Sequence, residues 1–134
     1  MTKKTIWAVI AVFIAWAILD FILHNLLLSS LYEQTKQLWR PLAEMNMPLM
    51  YVVTLVLSIC FCVIYGFLVE PKSIGRGTLY GIVTGLGMGF SMGFGSYVSM
   101  PIPLSLAFAW FIGSWVEFII GGILVGLIIR PAKQ

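Results

Sequence analysis

Three ionisable side chains interrupt long apolar runs in this chain: Asp20 and His24 near its start and Glu117 near its end. Asp20 and His24 are four residues apart, so on a helix they share one face. Glu117 lies in Gly113-x-x-x-Glu117-x-x-x-Gly121, with a glycine one turn to either side. A neighbouring backbone can therefore come close to its carboxyl. Ionisable groups in apolar spans are rare, usually turn towards the protein interior, and are candidate functional sites by default. Two carboxyls brought together in low dielectric cannot both ionise cheaply, so they would share a proton unless His24 neutralised Asp20 as imidazolium. Ser91 would offer a hydroxyl at the same level, as would Thr54 and Ser58. Such a cluster can handle a proton or cation. It can equally be a clasp, because acid–acid and acid–histidine hydrogen bonds also hold helices together.

A second chemistry is carried by sulfur. Met45, Met47 and Met50 are closely spaced, and with His24 they would suit copper(I), a soft metal. No compact His/Cys/Met motif fixes a geometry, and methionine also serves as flexible filler. No other cofactor is expected. Cys60 and Cys62 are two residues apart and point to opposite sides of a helix, which suits apolar filling rather than a disulfide. No nucleophile motif or phosphate loop suggests an enzyme.

The elements that must position these residues follow from the apolar blocks. Hydrophobic residues make up 60% of the 134 residues and charged ones 10%, against roughly 25% charged in an ordinary soluble domain. The blocks cover about 6–28, 49–69, 77–98 and 104–129, each close to the ~20 residues that cross a bilayer. The expectation is an all-α membrane protein. Its single domain, 1–134, would hold four transmembrane helices in an antiparallel bundle. Between the first two spans, residues 30–46 carry Leu31, Leu38, Leu42 and Met45 at helical steps beside Tyr32 and Trp39. This segment is expected to form a short amphipathic helix at the interface. At ~1.5 Å per residue, Asp20 lies about 24 Å from Lys4 and Glu117 about 20 Å from Arg130, so both approach the bilayer midplane.

The third block has glycine at every fourth position: Gly77, Gly81, Gly85, Gly89 and Gly93. In lipid, small residues let backbones approach, and van der Waals contact replaces the missing hydrophobic drive between helices. These glycines, with Gly113 and Gly121, are the expected packing positions. Their partner is either another span or a second copy. Lys3, Lys4, Lys72, Arg76, Arg130 and Lys133 fall on one side of such a topology, and only Lys36 and Arg40 on the other. The positive-inside rule then places both termini in the cytoplasm, in a bacterial-type inner membrane. Ala15-Trp16-Ala17 looks like a signal-peptidase site, but the apolar run continues to Leu28, so the segment is expected to stay as a span. The basic residues lack the aromatic interleaving of a nucleic-acid surface.

In size and span count the chain resembles the small multidrug resistance transporters. That resemblance implies a dimer working around a carboxylate in the first span. Here the acid is Asp20, late in its span, and Glu117 has no counterpart in that family, so the likeness stays coarse. The favoured function is a scaffold or accessory subunit, embedded in the lipid bilayer and packed through its glycine-rich third span in a homo-oligomer or larger membrane complex. The alternative is a small oligomeric proton- or cation-coupled transporter or channel using Asp20, His24 and Glu117.

Overall fold

A computed structural model describes residues 2–130. The described chain is all-helical, with no strand, and has five α-helices. Helix α1 (Lys3–Phe21) continues as a π-helical turn, Ile22–Leu27. Helix α2 (Ser29–Gln34) is short; α3 (Met47–Leu68), α4 (Ile74–Ser99) and α5 (Leu104–Ile128) are long. Three segments, Lys3–Leu27, Met47–Leu68 and Leu104–Ile128, are long and apolar enough to cross a membrane. Helix α4 matches them in length with 26 residues, but eight glycines dilute its apolar character.

Local chemistry sets the helix boundaries. Thr2, Asn46 and Ser73 accept hydrogen bonds from the backbone N–H three residues on, at 3.2, 3.1 and 3.1 Å, and so start α1, α3 and α4. Pro103 precedes α5, where a missing N–H costs nothing.

Residues 30–46 do not form the single amphipathic helix expected of them. Helix α2 stops at Gln34, and two 3₁₀ turns follow, Lys36–Leu38 and Leu42–Glu44. Trp39 and Pro41 are extended, and Pro41, which lacks a donor and restrains Arg40 before it, keeps a helix from running through this stretch. Leu31, Tyr32, Leu38 and Trp39 instead fold back onto Leu28, Ile102, Leu106 and Trp110 in a small apolar cluster. Leu42, expected on the apolar face, is exposed.

The long helices pack in the order α3, α1, α5, α4, with little direct contact between α3 and α5. The tightest pair is α4 with α5, and its seam is the glycine series. Gly77, Gly81, Gly85, Gly89 and Gly93 are all buried. A Cβ built on Gly77 would stand 2.7 Å from Gly126 Cα, and one on Gly89 would stand 2.8 Å from the Phe111 carbonyl oxygen. The partner of the glycine face is thus another helix of the same chain. Low residue numbers of α4 meet high ones of α5, so the two helices run in opposite directions. On the far side of α4, Leu79, Val83, Leu86 and Phe90 are exposed.

A larger core joins α1, α3, α4 and α5 around Trp16, Phe61, Tyr65, Phe118 and Val125. At this end of the molecule Lys4 Nζ donates to the Arg130 carbonyl at 2.7 Å, and Tyr65 Oη donates to the Ser73 carbonyl at 3.0 Å. The structure therefore brings the start of α1, the end of α5 and the 69–73 turn together, with Lys3, Lys4, Lys72, Arg76 and Arg130 near them. Lys133 lies outside the described residues.

Candidate functional site

The faces of α1 and α5 meet through residues of matched level. Trp16 packs over Gly121, where a Cβ would stand 3.0 Å from its indole nitrogen, and Leu23 packs over Gly113 in the same way. The glycines flanking Glu117 thus receive the two α1 side chains that flank Asp20. Asp20 and Glu117 fall between these contacts, on facing sides of α1 and α5. Trp16 Nε1 donates to the Glu117 carbonyl at 2.7 Å, which fixes α1 against α5 one turn from the acids. Glu117 Oε1 is buried and has no hydrogen-bond partner among the described residues. An unsatisfied buried carboxyl oxygen is costly and marks a site with an unmet need for a donor.

His24 lies beyond Asp20, inside the π turn. The widened turn is visible in its i→i+5 bond, Leu28 N–H to the Leu23 carbonyl at 2.9 Å. Such turns occur often at functional sites. His24 Nε2 stands 3.8 Å from Asp20 Oδ1, and its Nδ1 stands 2.5 Å from Tyr32 Oη. Trp110 Nε1 donates to the same phenol oxygen at 2.7 Å. With one donor already on that oxygen, the Tyr32 hydroxyl is free to donate to Nδ1, which leaves the imidazole proton on Nε2, towards Asp20. Burial pushes the Tyr32 phenol above the usual tyrosine range; the Trp110 hydrogen bond opposes this, and the Asp20 charge adds to it.

The expected residues divide clearly. Asp20, His24 and Glu117 come together. Ser91 does not: it is exposed, on the side of α4 away from the glycine seam. It lies two positions from each of Gly89 and Gly93, which turns it out of the contact. Met47 and Met50 are exposed at the start of α3, with Met45 just before them. Both ring nitrogens of His24 face protein partners, Tyr32 and Asp20. Among the described residues no three His, Cys, Asp or Glu side chains gather as a metal site.

Four contributors were missed in the sequence. Gly122 and Gly126 form the α5 side of the seam, each meeting α4 backbone. Their spacing of four is the same signal that marked α4. Tyr32 and Trp110 complete the hydrogen-bonded series, and nothing in the sequence connects two aromatics 78 positions apart.

On the side towards the chain ends, aromatic rings close the site. Trp16, Phe61 and Phe118 stand 4.9–5.4 Å apart by ring centroids, and Tyr80 packs on Phe61 at 4.6 Å. An open groove between α1 and α3, about 460 Å³, is lined by Phe13, Ile14, Ala17, Ile18, Phe21 and Tyr51 and does not include Asp20. In comparisons with known proteins, no family model, no curated protein and no solved structure matches the chain.

Proposed function

We propose that the chain is a four-span integral membrane protein of the bacterial inner-membrane type, with cytoplasmic termini, acting as a scaffold or accessory subunit. In this reading α4 is the fourth span. Its length suffices, its outer face is bulky and apolar, and its glycine seam against α5 suits lipid. The basic residues gathered near the chain ends support the orientation. No enzymatic role is assigned, because the ionisable groups gather among apolar helices rather than in a polar cleft.

The observation that carries the subunit role is the exposure of the Asp20–His24 pair. Their side chains remain 39% and 32% exposed at a level where lipid would surround α1. Lipid is a poor cover for such groups, and a protein neighbour is a better one. The first eleven residues of α3, 47–57, are likewise without a buried member. A second copy or a larger membrane complex would cover both. Native mass spectrometry after mild extraction tests this, with an oligomer or a bound protein subunit as the expected result. A monomer in both mild detergent and lipid nanodiscs would overturn it. The second reading, proton or cation handling, is favoured by one observation: Tyr32 meets His24, His24 lies 3.8 Å from Asp20, and Asp20 falls between the two α1–α5 contacts that flank Glu117.

A further inference from the structure

The polar series has an opening at one end and a barrier at the other. Tyr32 stands on α2, among the segments joining the spans, and His24 is partly exposed beside it. At the other end Glu117 and Asp20 meet Trp16, which is 2% exposed and packed at a tilt against Phe61 and Phe118. Beyond that layer Val12 and Val125 are fully buried, and among the described residues no ionisable group other than Cys62, Tyr65 and Tyr80 faces the core. The groups facing the carboxyls are thus His24 on α1, Tyr32 on α2, and the carboxyls themselves on α1 and α5. No lysine or arginine lies among them.

From this geometry we infer that Asp20 and Glu117 form a proton-binding site in exchange with the α2 face only, through His24 and Tyr32, while the aromatic layer closes it towards the chain termini. The steps balance. A proton from water replaces the one that Tyr32 Oη passes to His24 Nδ1, giving imidazolium. The imidazolium gives its Nε2 proton to the Asp20 carboxylate across the 3.8 Å gap, which a small side-chain motion closes. Asp20 passes the proton to Glu117 Oε1, the oxygen that lacks a donor. His24 is left neutral with its proton on Nδ1, which the Tyr32 oxygen accepts. Release retraces these steps. Because the far side is closed, the protein binds a proton without conducting it.

This inference rests on the four-span arrangement and not on the identity of any partner, so a monomeric protein would leave it standing. Reporters fused after Gln134 and inserted near Gln37 establish which face is which. The test is infrared spectroscopy of the protein in oriented vesicles during pH jumps on one side. A carboxyl signal should follow the pH of the α2 face, ignore the other face, and disappear in Glu117→Gln. His24→Phe should slow the response by about a hundredfold, the loss typical of a missing proton-transfer group. In vesicles holding a pH-sensitive dye, wild-type protein should add no proton leak, while Trp16→Ala should open one that Glu117→Gln abolishes. Should Trp16→Ala fail to fold, the infrared measurement decides alone. Absence of the carboxyl signal, an equal response to both faces, or a leak through wild-type protein would each overturn the inference.

Discussion

Adding a single methyl group to α4 should have opposite effects at Gly81 and at Gly87. A Cβ at Gly81 would stand 3.0 Å from Gly122 Cα and 3.0 Å from the Phe118 carbonyl carbon, with the Phe118 carbonyl oxygen nearer still. All three are backbone atoms of α5 and have no rotamer with which to move aside. The two helices must part, and van der Waals contact along the seam is lost with them. Overpacking of this kind costs about 1–3 kcal/mol, offset by up to ~1 kcal/mol of helix propensity gained on replacing glycine. Gly81→Ala should therefore lose about 1–2 kcal/mol. Gly87, six residues along the same helix, has nothing within 4 Å of its added Cβ. No glycine has a positive φ, so neither substitution carries backbone strain. Gly87→Ala should be neutral or stabilising by up to ~1 kcal/mol. Reversible unfolding in mixed micelles, read by tryptophan fluorescence, measures both. Equal stabilities for the two variants would refute the seam as a site of backbone contact.

Trp16→Phe removes the hydrogen bond to the Glu117 carbonyl while keeping a ring in the aromatic layer, and should cost about 1 kcal/mol. Trp16→Ala should cost about 3–5 kcal/mol; a Phe variant as stable as wild type would remove the hydrogen bond from the account. The Tyr32 phenol is raised by burial, so the folded state disfavours its anion. Its contribution is constant below the ordinary value of 10.0 and becomes destabilising as pH rises beyond it, because the unfolded chain then releases the proton first. Absorbance titration of wild type against Tyr32→Phe should show the loss of a late-ionising phenol; loss of one that ionises in the usual range would contradict the burial of this ring.

Much of the helical layout was legible because lipid-facing segments reveal themselves by apolar length. The boundaries of α3, α4 and α5 fall within three residues of those read from the apolar blocks. The glycine positions were legible for a related reason: spacing of four has few uses other than close approach. The segment 30–46 was misread because its leucines repeat at helical steps while Pro41 quietly forbids the helix that would align them. The π turn at Ile22–Leu27 left no mark in composition. Asp20, His24 and Glu117 stood out by their cost in apolar surroundings, whereas Ser91, a neutral hydroxyl, carried no such signal, and depth alone placed it wrongly. Tyr32 meets Trp110 because α2 folds back on the start of α5, a tertiary event that no local pattern encodes.

The packing order also has a meaning in time. Helix α5 is made after the other four described helices, yet it touches both α4 and α1 and receives the Trp16 indole on its own backbone. Helices α1 and α3 are made first, and until α5 arrives Asp20 has no carboxyl opposite it and Trp16 no carbonyl to bind. The nascent chain must therefore hold the acid-bearing α1 without its α5 partner until that helix is made. The glycine seam then closes late, between two neighbours in sequence joined by only a few residues. Completion of α5 is what joins the α1–α3 pair to α4.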